Sequence, residues 1–279
     1  MNPLAAVLNF NRSVSLPIPQ VSIPDFKTGT YGEWNVSVVD VPKGVHGYFT
    51  DGAGQAPSTY VLSKKREGSQ RPTVWMSFTA MELESHAFHI ERANGHVVIV
   101  GLGMGMILMN VLRKPEVTKV TVVELDPEII TLFKTVSGYE NWEGLDKLEI
   151  LNTDALQPDE TVVAQVRGCD YLYADIWELV ASEGALEDMK TICKWAEPKA
   201  ASYWCCEIDI MLYCAKQGIS YSMLESGEYD RVLLEMFSVG TGIPVDLNTL
   251  FGKGTEYPSY GKYIAAAGRC MLQALTGRK

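Results

Sequence analysis

The rhythm of apolar and polar positions divides this chain in two. Up to about residue 75 the apolar residues come in short runs, WNVSVVDV, HGYFTDG, STYVLSK and TVWMSF, separated by Gly, Pro, Asp and Ser. β-Branched and aromatic residues in such runs, with turn formers between them, predict a small antiparallel β unit. TAMELESHAFHIERANG then takes a helical period. Leu83, Ala87 and Ile90 share its core stripe, Thr79 and Glu82 have the spacing of a capping box, and Asn94-Gly95 reads as the stop.

From His96 the texture alternates. Strand-like HVVIVG, KVTVVEL, LEILN, CDYLYAD and ASYWCCEI are separated by helix-like MILMNVLRK, PEIITLFKTV, PDETVVAQV and GALEDMKTICKWA. Continuous Val/Ile/Leu/Tyr strands between helices predict a parallel sheet covered on both faces, closed by right-handed crossovers into a doubly wound α/β domain. The expected fold is therefore a Rossmann-like α/β domain preceded by a small antiparallel β-rich domain, divided as 1–76 and 77–279. The final stretch opens as a Gly/Pro-rich loop and closes on a helix from about Lys262.

Composition narrows the partners. At 279 residues and 47% hydrophobic, the chain can bury a full core. A net charge of -10, from 24 basic and 34 acidic residues, with KKRE as its densest basic run, argues against a nucleic-acid partner. No stretch reaches the roughly 20 apolar residues of a membrane span, and MNPLAAVLNFNR lacks the basic start and cleavage site of a signal peptide. A cytoplasmic location with no membrane partner is expected. The six cysteines form no CxxC pair and read as buried thiols. WCCE suggests a metal, but adjacent cysteines on a strand point to opposite faces, and no metal is assigned there. Glu82, His86 and His89 share a helix face that could hold a metal. Ordinary surface residues more often make such a face, so none is assigned there either.

The chemistry centres on GLGMG, Gly101 to Gly105, between a strand and a helix. Ligands of such sheets bind beyond the carboxyl ends of the strands, where glycines allow close backbone approach. Glu124 ends the next strand and can accept both hydroxyls of a ribose. That pair alone serves a dinucleotide and S-adenosylmethionine equally. Against the dinucleotide, Met106 stands where G-x-G-x-x-G needs its third glycine, and a whole segment precedes the turn. In favour of the adenosyl donor, NTDAL and YADIWE bring further carboxylates to the same sheet edge.

VVIVGLGMG, VVELD, NTDA and YADIWE, in this order, resemble the motifs of the class I S-adenosylmethionine-dependent methyltransferases. The β unit and SFTAMELESHA resemble the spermidine synthase branch of that superfold, and the resemblance runs over roughly residues 30 to 210. It implies a methyltransferase-type sheet with S-adenosyl-L-methionine as cofactor. Gly101, Gly103 and Gly105 would pass the methionine moiety, Glu124 would hold the ribose, Asp154 and Ala155 would meet adenine, and Asp175 would face the sulfonium and the acceptor. Taken singly, the glycines also fit a tight strand-to-helix turn with no ligand, Glu124 an exposed strand end, and Asp154 and Asp175 ordinary helix caps.

Spermidine synthases carry an acid in the glycine turn and a Tyr-Gln pair before the helix glutamate. This chain has Met104, and Ala80-Met81 before Glu82. The departures turn the expectation from aminopropyl to methyl transfer onto a small amine or hydroxyl. The family's Asp-x-x-Asp is matched by Asp175-Ile-Trp-Glu178, which implies Asp175 as general base or positioning acid, with Glu178 assisting. Glu82 and Trp177, with Trp75, Tyr173 and Phe78, are candidates for the acceptor pocket, although aromatic residues are more often core. Cys205, Cys206 and Glu207 are expected near the cleft edge. The alternatives are a spermidine synthase-like aminopropyltransferase and a non-catalytic member of the fold, with an NAD-dependent oxidoreductase further off. The β unit resembles one used for dimer or tetramer contacts.

Overall fold

The computed structural model describes residues 16–276 except 44, 51–55, 67, 69–70, 228–229, 248–249 and 252–253. The stretch before residue 16, Asp51-Gly52 of HGYFTDG and Glu67 of KKRE therefore lie outside the described residues. Strands β1 (Gly29–Tyr31), β2 (Trp34–Asp40), β3 (Ser58–Lys64) and β4 (Thr73–Ser77) form an antiparallel sheet in that order. Trp34 and Val36 of β2 are buried opposite Lys64 and Leu62 of β3, so their alternation gives the sheet an inner face. HGYFTDG departs from expectation: residues 45–50 form no strand. The N–H groups of Phe49 and Thr50 donate to the Glu84 carboxylate at 2.6 and 3.0 Å, and Tyr48 and Phe49 are buried. Side-chain anchoring has replaced ladder pairing there.

Helix α1 (Ala80–Arg92) starts at Thr79, but the capping box does not form. The Thr79 hydroxyl pairs with Ser77 Oγ at 3.2 Å, while Glu82 is buried beside His86. Nor is the Glu82, His86, His89 face a surface: their exposures are 8%, 0% and 2%.

The second sheet runs β5 (Gly95–Val100), β6 (Val117–Glu124), β7 (Leu148–Asn152), β8 (Tyr171–Ala174) and β9 (Ala201–Tyr203) along the chain. Its strands are all parallel, in the spatial order β7-β6-β5-β8-β9. Helices α2 (Met106–Leu112), α3 (Pro127–Val136), α4 (Glu160–Val166) and α5 (Ala185–Ala196) connect them. The order reverses between β5 and β8, which puts a crevice beyond the ends of β5, β6 and β8. Val97 to Val100 and Tyr171 to Ala174 are buried on both faces, as unbroken apolar strands require.

ASYWCCEI is not one strand. β9 stops at Tyr203, Cys205 takes a left-handed φ of 63°, and Cys206 opens helix α6 (Cys206–Lys216). Helices α7 (Tyr221–Ser226), α8 (Asp230–Thr241) and α9 (Tyr260–Thr276) follow. The start of α9 is held by Asp230, whose carboxylate accepts from the N–H groups of Tyr260 and Gly261 at 2.7 and 2.9 Å. Among the described residues no helix is long and apolar enough to cross a membrane.

Candidate active site

The glycine turn is shaped by close packing. Gly101 has φ 97°, and a Cβ there would collide with the main-chain carbonyl of Asp175. Gly103 has φ 51°, and its Cβ would lie 2.7 Å from Met76 Sδ of β4. At Gly101 both the dihedral and the main-chain clearance demand glycine, and at Gly103 the left-handed dihedral favours it. Gly101 and Gly103 line a cavity of about 360 Å³. Gly105 does not: it precedes α2, and a side chain there would strike the Phe133 ring. Met104 is buried at 1% exposure and is off the cavity wall.

Glu124, at the end of β6, lines the cavity with its carboxylate already oriented. One oxygen accepts from the Leu102 N–H and the other from the Asp126 N–H, both at 2.8 Å. Each oxygen keeps acceptor capacity for a hydroxyl. Burial raises the Glu124 pKa, and the two backbone N–H groups oppose that rise. Asp154 and Ala155 line the same wall; the Asp154 carboxylate also accepts from the Leu156 N–H at 2.8 Å.

The N-terminal sheet closes the cavity with Trp34, Leu62, Lys64, Trp75 and Met76. Asp126 fastens it there. Its carboxylate accepts from Trp34 Nε1 at 2.8 Å and lies 3.5 Å from Lys64 Nζ, while its other oxygen caps α3 through the Glu128 N–H at 2.9 Å. Lys64 Nζ sits 4.8 Å from the Trp34 ring centroid. None of this was legible in VVELD, although an Asp two residues after the strand-end Glu and just before a Pro is a recognisable cap signal.

Asp175 and Glu82, both on the cavity wall, meet across His86. His86 Nε2 is 3.5 Å from Glu82 Oε1 and 3.7 Å from Asp175 Oδ2, and its Nδ1 is 2.7 Å from the Tyr173 hydroxyl. With Tyr173 donating to Nδ1, the Nε2–H faces both carboxyl groups. Burial pushes Asp175 up to about 7, with His86 pulling it down and Glu82 pushing it further up. It pushes Glu82 up to about 8 and holds His86 down to about 4. Near neutrality the trio holds a neutral imidazole and carboxyls that share few negative charges. Such a set can take a proton from a bound nucleophile.

Trp177 lines the cavity and donates from Nε1 to Asp188 at 2.9 Å. Trp204 lines it too, donating from Nε1 to Ser85 at 2.9 Å and stacking over His86; no sequence signal marked it. Trp75 is on the wall, whereas Phe78 stacks on Phe26 in the core and Tyr173 is buried beneath the site. Glu178 is not brought to Asp175: its carboxylate is ion-paired with Arg66, away from the cavity lining. Cys205 and Cys206 are fully buried and off the cavity wall. Among the described lining residues, Lys64 stands against Glu82, Glu124, Asp126, Asp154, Asp175 and Asp188.

Residues 79–165 match a family model described as the spermine/spermidine synthase domain. No curated protein matches the sequence. Among solved structures, spermidine synthase from Thermotoga maritima is similar at 15% identity and TM-score 0.36, over 63% of this chain and 54% of that one. The methyltransferase domain of bacterial CtHen1 is similar at 14% identity and TM-score 0.33, over 39% of this chain and 55% of that one. The N-terminal domain of EvdMO1, solved with SAH and D-fucose, is similar at 13% identity and TM-score 0.32, over 42% of this chain and 46% of that one. The chain spans about half the length of the solved proteins it matches. By its sheet and the segment it shares with the spermine/spermidine synthase domain, the chain resembles the class I S-adenosylmethionine-dependent methyltransferase superfamily, on its spermidine synthase-like side.

Proposed function

We propose that the chain is an S-adenosylmethionine-dependent methyltransferase acting on a small amine. The observation that carries this reading is the Glu124 carboxylate, fixed by two backbone N–H groups and facing a cavity beside a glycine turn that no side chain could enter. Two oriented oxygens with spare lone pairs suit the cis hydroxyls of a ribose, and Asp154 and Ala155 lie on the wall where adenine would follow. The bound donor would supply an activated methyl carbon on sulfur. Asp175 would accept the amine proton, freeing its lone pair for attack on that carbon as the carbon–sulfur bond breaks and its pair returns to sulfur. Trp177, Trp204 and Trp75 would exclude water and hold cationic groups against their rings.

The methyl reading is preferred to aminopropyl transfer because Met104 offers the glycine turn no acid for the ammonium of a decarboxylated donor. Two observations favour the second reading: the match over residues 79–165, and the excess of acids over Lys64 on the cavity wall, which suits a donor without a carboxylate. Calorimetric titration with S-adenosylmethionine, S-adenosylhomocysteine and decarboxylated S-adenosylmethionine separates them, followed by mass analysis of amine acceptors. Glu124→Ala should cost about 3 kcal/mol, on the order of a hundredfold in Kd, through two lost charge-assisted hydrogen bonds. Absence of binding by all three would remove the proposal. Aminopropylated product with no methylated product would replace it by the second reading.

A further inference from the structure

Behind the cavity, a second group of chemistry-bearing side chains plays no part in the proposed reaction. His89 of α1 and Cys206 and Glu207 of α6 bring an imidazole nitrogen, Sγ and a carboxylate oxygen within 4.8 Å of one another, at exposures of 2%, 0% and 0%. The adjacent Cys206 and Glu207 converge because they open a helix, where neighbouring side chains diverge by about 100° rather than the 180° of a strand.

One feature of the group is unsatisfied. Among the described residues His89 Nδ1 is buried without a hydrogen-bond partner, and Nε2 has only a long contact to Glu207 Oε1 at 3.5 Å. Buried polar atoms are rarely left so, because an unmade hydrogen bond keeps its desolvation cost. The surroundings are otherwise ordered. Tyr260 and Tyr48 donate their hydroxyls to the two Glu207 oxygens at 2.8 and 3.2 Å, and the His89 ring stacks on Tyr173 at 4.8 Å between centroids. The hydroxyls of Ser202 and Tyr260 lie 3.2 and 3.7 Å from Cys206 Sγ.

We propose that His89 Nε2, Cys206 Sγ and Glu207 form a closed structural site for one zinc-class divalent ion. The donor set of imidazole, thiolate and carboxylate is that of borderline-soft ions with tetrahedral preference, and the Ser202 and Tyr260 hydroxyls flank the sulfur. On binding, the Cys206 thiol gives its proton to solvent. Thiolate and carboxylate then balance the ion's two charges, and the site is neutral in the core. The ion would tie α1, which carries Glu82, to the segment after β9, which carries Trp204, so it would brace two cavity walls from behind.

The test uses the whole chain. After expression in zinc-supplemented medium, elemental analysis should find about one zinc per chain. The chain unfolded with chelator and refolded with cobalt(II) should bind one equivalent and show the near-ultraviolet thiolate-to-cobalt charge-transfer band. Cys206→Ser should lose that band, and the neighbouring Cys205→Ser should keep it. The wild-type spectrum is decisive by itself should a variant fold poorly. A folded wild type with neither retained zinc nor a charge-transfer band would overturn the proposal, and so would a band that survives in Cys206→Ser.

Discussion

Asp175, Glu82 and His86 are three titratable groups that compete for protons at the cavity wall, with the imidazole fully buried and the Asp175 side chain 20% exposed. Burial raises the two carboxyls to about 7 and about 8 from ordinary values of 3.8 and 4.5, so the folded chain holds protons that the unfolded chain has released. That difference favours folding fully below the ordinary values and is lost as pH climbs through about 7 and 8. His86 works in the opposite sense. Its value falls from 6.5 to about 4, so stability declines as pH drops through that interval, where only the unfolded chain is protonated. Glu82→Gln, which stays neutral, should raise Tm relative to wild type at about pH 9 and lose the advantage toward about pH 4. An offset independent of pH in thermal denaturation would contradict a proton held at Glu82. For catalysis, kcat/KM should rise through about 7 as Asp175 ionises. Asp175→Asn should lower turnover on the order of a hundredfold and remove that limb of the profile.

At the scale of elements, Asp126 couples the two sheets. It caps α3 and receives the indole N–H of Trp34 from β2, so one carboxylate sets both the helix start and the seat of the wall facing Glu124. Asp126→Ala should cost about 1–2 kcal/mol, from a lost cap and an indole N–H left without its acceptor. It should also weaken donor binding several-fold, because Trp34 and Lys64 lose their anchor. Urea denaturation and donor titration on the same variant check this, and a stability loss with unchanged Kd would show that α3 and the wall act independently. The elements themselves were largely legible in the chain. Unbroken apolar runs between helical periods gave β5 to β8 their places, and strand-end acids marked Glu124, Asp154 and Asp175. What periodicity cannot carry is the partner a side chain meets from a distant segment. Glu178 turned to Arg66, the HGYFTDG run turned to Glu84, and Glu82 left the N-cap of α1 for His86. The same limit hid Trp204 and Asp126, and it made WCCE read as a strand until the left-handed Cys205 showed a helix opening there. Helices α7 and α8 leave little sequence signal, because SYSMLES is short and EYDRVLLEMFSVG begins amid Gly and Asp.

At the scale of the whole molecule, charge is the property that bears on the proposed ligands. The chain carries a formal -10, and its cavity sets six carboxyl side chains against Lys64. Glu82 and Asp175 hold protons up to about 8 and about 7, and the four other acids on the wall still outnumber Lys64. A low-dielectric cleft of one sign focuses its field outward and draws in ligands of the opposite sign. An amine acceptor is cationic in solution, and the proposed donor carries a sulfonium that its product lacks. The field should therefore hasten arrival of acceptor and donor while leaving the net-neutral S-adenosylhomocysteine free to depart. Because the Debye length shortens from about 30 Å at 0.01 M to about 8 Å at 0.15 M salt, this long-range attraction should fade over that range. The expected result is a several-fold fall in kcat/KM for a cationic acceptor, with kcat little changed. The inhibition constant of S-adenosylhomocysteine should move much less over the same range. If donor, acceptor and product all weakened alike with salt, the effect would lie in the fold rather than the field, and charge would have no part in how this cleft selects its ligands.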